Sequence, residues 1–552
     1  MQFIVQAYDA ATRTPVRAVL FLVGLTLACS LPGFFTLQPM DRDEARFAQA
    51  TKQMVETGDF IDIRLQDEPR YKKPAGIHWM QAAAVFASGQ GADAPIWAYR
   101  VPSLLGAVAI VLLTYWAGLG LFDARTSVLG AMLMAMILLL GVEARLAKTD
   151  AVLTATIIAS MGVLARLDQW RGGGVPTRLP VIFWGAAALG IMVKGPIWLM
   201  VVGLAALARS LTRRSLDWLK PIRPVSGIAV LVAVVAPWLI AINIVSDGQF
   251  LRMALGQDLL GKVATGQESH GAPPGTYVAA FLVTSWPMAA PFLLALGWIW
   301  KNNATPPVTF LLCWIVPSWT VFELVATKLP HYVLPIYPAM ALLAAAAIMS
   351  GGLLTGRWWT RLLAALGAAA LIYGPAVAIG LYIFAEGTLP LLAIAASLVS
   401  LVIGVFAVRA AWGERIRDVV ILTALAAPFF YVSIYEGALA RMQMPKVSER
   451  IVEMASFAMP CEPIRLVATG YEEASLVFLA GTETRWASPD EAVRHIAAPG
   501  CHAAAIEGRY VPAFRTAAIA ADVKVEELGV VDGFNIGNGR IVRIVLFRSV
   551  PQ

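Results

Sequence analysis

The chain has 552 residues, of which 58% are hydrophobic and 14% charged, and carries a formal net charge of +7. Soluble domains carry about a quarter charged residues, so this composition excludes an ordinary water-soluble protein and makes the bilayer the solvent for most of the chain. In a soluble protein the positive charge would point to nucleic acid. Here much of it lies in short loops between apolar runs, where it sets membrane orientation, and no nucleic-acid partner is expected.

The first apolar run, Ala18 to Phe35, follows Arg13 and Arg17. A cleaved signal peptide is the competing reading, and Leu27-Ala28-Cys29 is similar to a lipoprotein cleavage site. However, Thr26 stands where Leu is usual and the run continues past it, so a retained first helix is expected. Spans are predicted at 17–36, 98–121, 126–142, 150–167, 179–193, 195–209, 226–245, 276–299, 306–326, 332–350, 361–384, 389–409 and 418–436. That is about 13 by the length rule. Segment 76–88 is too short to cross upright and is expected to be partly embedded.

With the N-terminus in the cytoplasm, the inner loops hold Arg125, Arg166, Arg171, Arg178, the run from Arg209 to Arg223, Lys301, Arg357, Arg361, Arg409, Arg415 and Arg417. The short outer loops hold only Arg145, Lys148, Lys194, Arg252, Lys262 and Lys328. This asymmetry obeys the positive-inside rule and predicts a bacterial inner-membrane protein whose outer side is periplasmic. Residues 1–436 form the membrane domain, with a first periplasmic loop at 37–97, and residues 437–552 form a periplasmic tail. In the tail, strand-like runs (Ile464 to Ala468, Ala503 to Ile506, Ile541 to Phe547) alternate with helix-like ones (Glu472 to Ala480, Pro489 to Ile496). Ser488-Pro489-Asp490-Glu491 supplies a cap, a first-turn Pro and a third-position Glu. The fold class expected is therefore a polytopic α-helical membrane protein with a small C-terminal α/β domain. Cys461 and Cys501 are the only cysteines of the tail. The oxidising periplasm expected for the tail predicts a Cys461–Cys501 disulfide; two free thiols in a reducing compartment are the competing reading.

Ionisable groups beside apolar spans are costly and invite a functional reading. They cluster on the outer side: Asp41, Asp43, Glu44 and Arg46 open the first loop, and Arg70-Tyr71-Lys72-Lys73-Pro74 closes its polar part. Glu143, Arg145, Lys148 and Asp150 fill the next outer loop. Lys194-Gly195-Pro196 interrupts an apolar stretch, and Lys328, His331 and Tyr332 sit at another outer turn. Each has a plainer reading. Asp41 and Glu44 are spaced like a capping box; Asp41-x-Asp43 also matches a metal-binding pattern of nucleotide-sugar enzymes, which are not expected outside the cytoplasm. Lys72 and Lys73 can snorkel, and Arg145, Lys148 and Asp150 can form a solvated charge pair. His270, in a polar loop, is expected to be solvated. Several Lys and Arg with few His suit phosphate, and one or two carboxylates suit activation of an acceptor or stabilisation of developing positive charge. Apolar spans beneath make that phosphate a lipid phosphate. No P-loop, dinucleotide fingerprint or HExxH pattern points to another cofactor.

These motifs resemble the protein O-mannosyltransferase-like branch of the GT-C glycosyltransferases. The resemblance covers about 1–436 and rests on Asp43-Glu44-Ala45-Arg46-Phe47-Ala48, Tyr71-Lys72-Lys73-Pro74 with His78-Trp79, Arg145-x-x-Lys148-x-Asp150, Lys194-Gly195-Pro196, and Lys328-Leu329-Pro330-His331-Tyr332. Length and tail are most similar to bacterial 4-amino-4-deoxy-L-arabinose lipid A transferases. The resemblance implies an inverting transfer from undecaprenyl phosphate to a lipid A phosphate, as in polymyxin resistance, with membrane lipids around it. It implies no required cofactor and leaves a divalent metal open. It points to Asp43 and Glu44 as catalytic, and the cationic set suited to phosphate is Arg46, Tyr71, Lys72, Lys73, Arg145, Lys148, Lys194, Lys328 and Tyr332, with Asp150 and His331 as further polar site residues. Lys73-Pro74-Ala75 departs from the family's Lys-Pro-Pro, which leaves the sugar open; a mannosyl or other polyprenyl-phosphate-linked sugar, passed to protein or glycan, is the alternative. A secondary transporter or lipid flippase would favour midplane sites and repeats; the one-sided charge cluster and the lack of a repeat argue against it.

Overall fold

The structure, a computed structural model, describes residues 8, 10, 12–39, 42–170, 172, 174–254, 256 and 271–550; Asp41, Arg171, Lys262 and His270 lie outside the described residues. In chain order the membrane region comprises α1 (Pro15–Ser30), α2 (Arg42–Thr57), α3 (Gly76–Ser88), α4 (Ile96–Gly118), α5 (Ala124–Met136), α6 (Leu138–Glu143), α7 (Asp150–Asp168), α8 (Arg178–Lys194), α9 (Ile197–Arg213), α10 (Pro224–Val245), α11 (Thr276–Thr284), α12 (Ala289–Asn302), α13 (Pro306–Leu324), α14 (Tyr337–Met349), α15 (Trp358–Glu386), α16 (Leu391–Trp412) and α17 (Ile416–Tyr431).

Among the described residues, eight helical segments are long and apolar enough to cross a membrane, or nine if the bent pair α11–α12 is one span. The protein is therefore polytopic. The expected span 17–36 is present as the shorter apolar helix α1, and the first part of that expected at 126–142 is the shorter apolar helix α5. Those at 179–193 and 195–209 are the 17-residue helices α8 and α9. They part at Gly195, whose φ of +66° falls in a region that a side chain disfavours, and at Pro196, which has no N–H to donate. Helix α7 is buried along nearly its whole length, whereas α10, α15 and α16 leave most of their apolar surface outward, as lipid-facing helices do. Close packing at the centre depends on small residues: a Cβ at Gly118 or Gly130 would lie 2.8 or 2.9 Å from Leu342 Cδ2 of α14.

Two expected spans are broken, and the breaks serve each other. The run 276–299 bends by 119° between α11 and α12, where Pro287 cannot donate to the helix ladder. The run 126–142 breaks at Ile137, between α5 and α6. In lipid, freed backbone groups must find protein partners. The Leu138 N–H donates to the Trp286 carbonyl at 2.9 Å, and the Tyr431 hydroxyl donates to the Met136 carbonyl at 2.8 Å. Beyond α17 the helical path continues through Val432–Ala438 and Leu439–Arg441.

The tail opens with α18 (Val447–Ala458) and forms a mixed five-stranded sheet of order β4-β3-β5-β7-β6. Its strands are β3 (Arg465–Thr469), β4 (Arg485–Trp486), β5 (His502–Glu507), β6 (Val525–Asn535) and β7 (Arg540–Ser549); β1 (Arg64–Leu65) and β2 (Glu68–Pro69) pair in the first loop. Strand β3 runs parallel to β4 and β5, and β7 is antiparallel to β5 and β6. The three strand-like runs and two helix-like runs read from the sequence each fall on an element. Ser488 and Glu491 form the reciprocal capping box that starts Pro489–Ala497. Cys461 and Cys501 are joined as a disulfide with Cα atoms 5.7 Å apart.

The tail sits on the first loop. Gln49 Nε2 donates to Thr482 Oγ1 at 2.7 Å and Lys52 Nζ to the Phe478 carbonyl at 3.3 Å. Gln38 Nε2 donates to Glu449 Oε1 at 2.6 Å, and the Tyr99 and Phe478 rings meet edge to face at 5.3 Å. The tail thus fastens α2, the helix that begins with the first acidic cluster.

Candidate functional site

Helix α2 starts at Arg42, so Asp43 and Glu44 lie in its first turn, where the helix dipole favours negative charge. Successive helical residues point about 100° apart, and the two carboxylates accordingly face different surroundings. Asp43 keeps 42% of its side chain exposed and pairs with Arg46 at 3.6 Å. Glu44 is fully buried. Its two oxygens take Arg100 Nε at 2.7 Å and Nη2 at 3.1 Å, and Oε1 also accepts the Ala147 N–H at 3.0 Å. Arg100 in turn donates to the carbonyls of Phe34, Leu37 and Gln38. Glu44, expected to be catalytic, is thus the anchor that pins α2 and the chain entering it to α4.

The ends of several elements converge beside Asp43. Lys148 Nζ lies 3.6 Å from Glu143 Oε1 at the end of α6. His331, on the 3-10 turn Pro330–Ile336, places Nδ1 3.7 Å from Glu143 Oε1 and Nε2 3.8 Å from Asp150 Oδ2. Asp150 opens α7 and pairs at 2.5 Å with Lys194, which closes α8; the dipoles of these helices favour an anion and a cation at those ends. Lys194 also lies over the Tyr332 ring at 5.4 Å. Burial raises the Asp43 carboxyl, but Arg70, Lys148, Arg46 and His331 act against it and hold it below its ordinary value. It is a carboxylate at neutral pH in a surplus of positive charge.

The first loop closes beside this cluster. Gly76 packs so tightly on α8 that a Cβ would lie 2.6 Å from the Met192 carbonyl oxygen. This brings the segment carrying exposed Lys72 and half-buried Lys73 to the end of the helix that carries Lys194. Tyr71 is buried, and its hydroxyl donates to Asp62 Oδ1 at 2.7 Å. Burial and that hydrogen bond push it up to about 12, so it is a neutral donor that fixes the loop.

Two cations expected to hold phosphate are turned to helix C-termini, where cations match the dipole. Arg145 Nε donates to the Pro32 carbonyl at 2.6 Å and Nη2 to the Cys29 carbonyl at 2.5 Å; Nη1 donates to Gly141. Its guanidinium lies 4.0 Å from the centre of the Tyr435 ring. Lys328 Nζ donates to the carbonyls of Val325 at 2.7 Å and Ala272 at 2.9 Å, at the end of α13. Sequence reasoning passed over Arg100 and gave no role to Arg70 or Glu143. Arg100 stands alone in the apolar run 96–118, and the cost of an ionisable residue there was the available signal. Arg70 lies 5.2 Å over the Phe47 ring. Among the described residues, no group of three or more His, Cys, Asp or Glu is arranged to hold a metal ion.

The chain is similar to several known proteins. Residues 40–246 match the family model for dolichyl-phosphate-mannose-protein mannosyltransferase. An undecaprenyl phosphate-alpha-4-amino-4-deoxy-L-arabinose arabinosyl transferase of Pectobacterium carotovorum is 26% identical over 337 residues, which cover 60% of this chain and 58% of that one. The namesake of Pseudomonas aeruginosa PAO1 is 27% identical over 337 residues, 57% of this chain and 58% of that one. The chain thus spans a little over half the length of these curated relatives. The crystal structure of ArnT from Cupriavidus metallidurans bound to undecaprenyl phosphate superposes with a TM-score of 0.76 at 16% identity, covering 97% of this chain and 99% of that one. The apo oligosaccharyltransferase of Archaeoglobus fulgidus gives 0.52 at 13% identity, with 85% and 64% covered. The fold is shared with these two solved structures, and the similarity to the mannosyltransferase model and to the named arabinosyl transferases is the one read from the motifs.

Proposed function

We propose that this GT-C chain moves a sugar, 4-amino-4-deoxy-L-arabinose, from undecaprenyl phosphate to a phosphate of lipid A. The observation that carries the reading is the meeting of an ionised, half-exposed Asp43 with Arg46, Arg70 and Lys148 at the ends of apolar helices. In this reaction an acceptor phosphate oxygen attacks the anomeric carbon, and the bond from that carbon to the donor phosphate oxygen breaks. The electron pair leaves with undecaprenyl phosphate. Since the acceptor is already anionic, Asp43 orients it or stabilises positive charge building on the sugar, and cations stabilise the leaving phosphate. The reading calls on no metal. The relatives' names support the donor and sugar. The expected result is that mass analysis of lipid A from cells with this protein, but not from cells without it, shows one added aminopentose. An unchanged lipid A in both would remove the reading.

The match of residues 40–246 to a mannosyltransferase model favours a second reading, transfer of another polyprenyl-phosphate-linked sugar to a hydroxyl. That acceptor would place more demand on Asp43 as a base, and a hexose rather than an aminopentose on the product would select it.

We further propose that the site faces the periplasm and the N-terminus the cytoplasm. The alternating loop charge supports this orientation, and the seating of the tail on the first loop requires those two segments to share a side. Alkaline phosphatase fused to the C-terminus of the full chain should be active. An inactive phosphatase, together with an active cytoplasmic reporter at the same place, would invert the orientation.

A further inference from the structure

We propose that His331 and Glu143 are positioning residues for the donor phosphate: they hold the ammonium groups of Lys148 and Lys194 apart and in place. This rests on the reading that a polyprenyl phosphate is the donor. Five ionisable side chains, Glu143, Lys148, Asp150, Lys194 and His331, come from three chain segments into one buried knot, each no more than about a tenth exposed. Among them, Glu143 and Asp150 offset Lys148 and Lys194, and the imidazole stands between the two carboxylates. That balance alone does not fix which lysine goes with which carboxylate. In a poorly solvated site the Coulomb energy of either exchange is large, and long lysine side chains have many rotamers.

The imidazole removes that freedom. Its two nitrogens face different carboxylates, Glu143 at 3.7 Å and Asp150 at 3.8 Å, so a rigid ring stands between the two anions. Lys148 stays with Glu143 at 3.6 Å and Lys194 with Asp150 at 2.5 Å. Lys194 is further confined over the Tyr332 ring, one residue along the same turn from His331. Lys148 is one of the cations whose charge acts on Asp43. Loss of the ring would let Glu143 and Asp150 share both lysines and draw Lys148 from the Asp43 side. Neither Glu143 nor His331 needs to touch the donor to act in this way.

The test uses full-length protein in detergent with undecaprenyl phosphate as the probe, read by displacement of its thermal unfolding, and in parallel the transfer of the lipid-linked sugar to lipid A. His331→Ala should weaken undecaprenyl phosphate at least about 10-fold and raise the KM for donor more than it lowers kcat, the loss of one or two charge-assisted contacts. His331→Gln, which can hydrogen-bond to either carboxylate, should recover most of that loss. Glu143→Gln should weaken the probe by a similar factor, and the double variant His331→Ala/Glu143→Gln should be no worse than the weaker single, because both act on the same lysines. If His331→Ala does not fold, His331→Gln and Glu143→Gln carry the test alone. Probe affinity and donor KM left at wild-type values by His331→Ala or Glu143→Gln, or a purely kcat loss that Gln does not restore, would overturn the inference while the transfer reading stands. Wild-type protein that binds undecaprenyl phosphate with the predicted variant pattern yet transfers no sugar would support the inference and overturn the transfer reading. Wild-type protein that does not bind the probe would overturn both.

Discussion

Asp43→Asn is expected to lower sugar transfer about 10²–10³-fold, the usual cost of losing one well-placed electrostatic contact in a transition state. The substitution keeps the size and hydrogen-bonding shape of the side chain and removes only its charge. Asp43 is partly exposed at the start of α2, beside Arg46, so expression and thermal unfolding should stay near wild type. Because Arg70, Lys148, Arg46 and His331 outweigh the effect of burial and hold its carboxyl below its ordinary value, Asp43 is already ionised at neutral pH. Its charge is present above that range and is lost only as pH falls through its lowered value. A fall in rate between about pH 7 and pH 5 would therefore belong to another group. Transfer by washed membranes carrying the variant, compared with wild type at equal protein, checks the expectation. Full activity of Asp43→Asn together with loss of activity in Asp41→Asn would move the site by two residues and favour the metal-binding reading of Asp41-x-Asp43.

The membrane character, the order of the spans and the alternation of strands and helices in the tail were legible because each rests on a local signal. Those signals are run length, hydropathy period and the Ser488-to-Glu491 capping pattern. The breaks at Ile137 and at Pro287 were not legible. Local sequence gives a proline but not the partner that makes a break tolerable in lipid, here a carbonyl about 150 residues away meeting the Leu138 N–H. Loop charge led to the expectation of a set of charges on one face, and the structure brings Glu143, Lys148, Asp150, Lys194 and His331 together, but the division of labour within the set was not legible. Asp43 and Glu44 are adjacent and chemically alike; only the helical phase and the position of Arg100 decide that one is buried and the other open. Arg145 and Lys328 look like phosphate ligands in sequence. Nothing local shows that the carbonyls of Cys29 and Pro32, more than a hundred residues upstream, or those of Ala272 and Val325, claim their donors.

Glu44→Gln is expected to destabilise the folded protein by about 3–5 kcal/mol, the cost of leaving one partner of a buried ion pair uncompensated. Both side chains of the pair are almost wholly removed from solvent. A glutamine oxygen would still accept from Arg100 Nε and from the Ala147 N–H, but its NH2 would face the Arg100 Nη2 donor, so the substitution removes the charge and one acceptor while keeping the shape. Arg100→Met removes the cation instead and also strips donors from the carbonyls of Phe34, Leu37 and Gln38. It should therefore cost at least as much. The double variant should be no less stable than Arg100→Met alone, since a glutamine without a facing guanidinium leaves no buried charge behind. Equilibrium unfolding in mixed micelles measures all three. A single Glu44→Gln within about 0.5 kcal/mol of wild type, the range of a surface substitution, would deny the anchor; so would strict additivity of the two changes. The pair also fixes where Asp43 stands, because the chain from Phe34 to Gln38 and the first turn of α2 are both tied to the one guanidinium. Any folded Glu44→Gln protein should therefore lose transfer as well, with donor affinity less affected than turnover, since the residue displaced is Asp43 rather than the lysines held by Glu143 and Asp150.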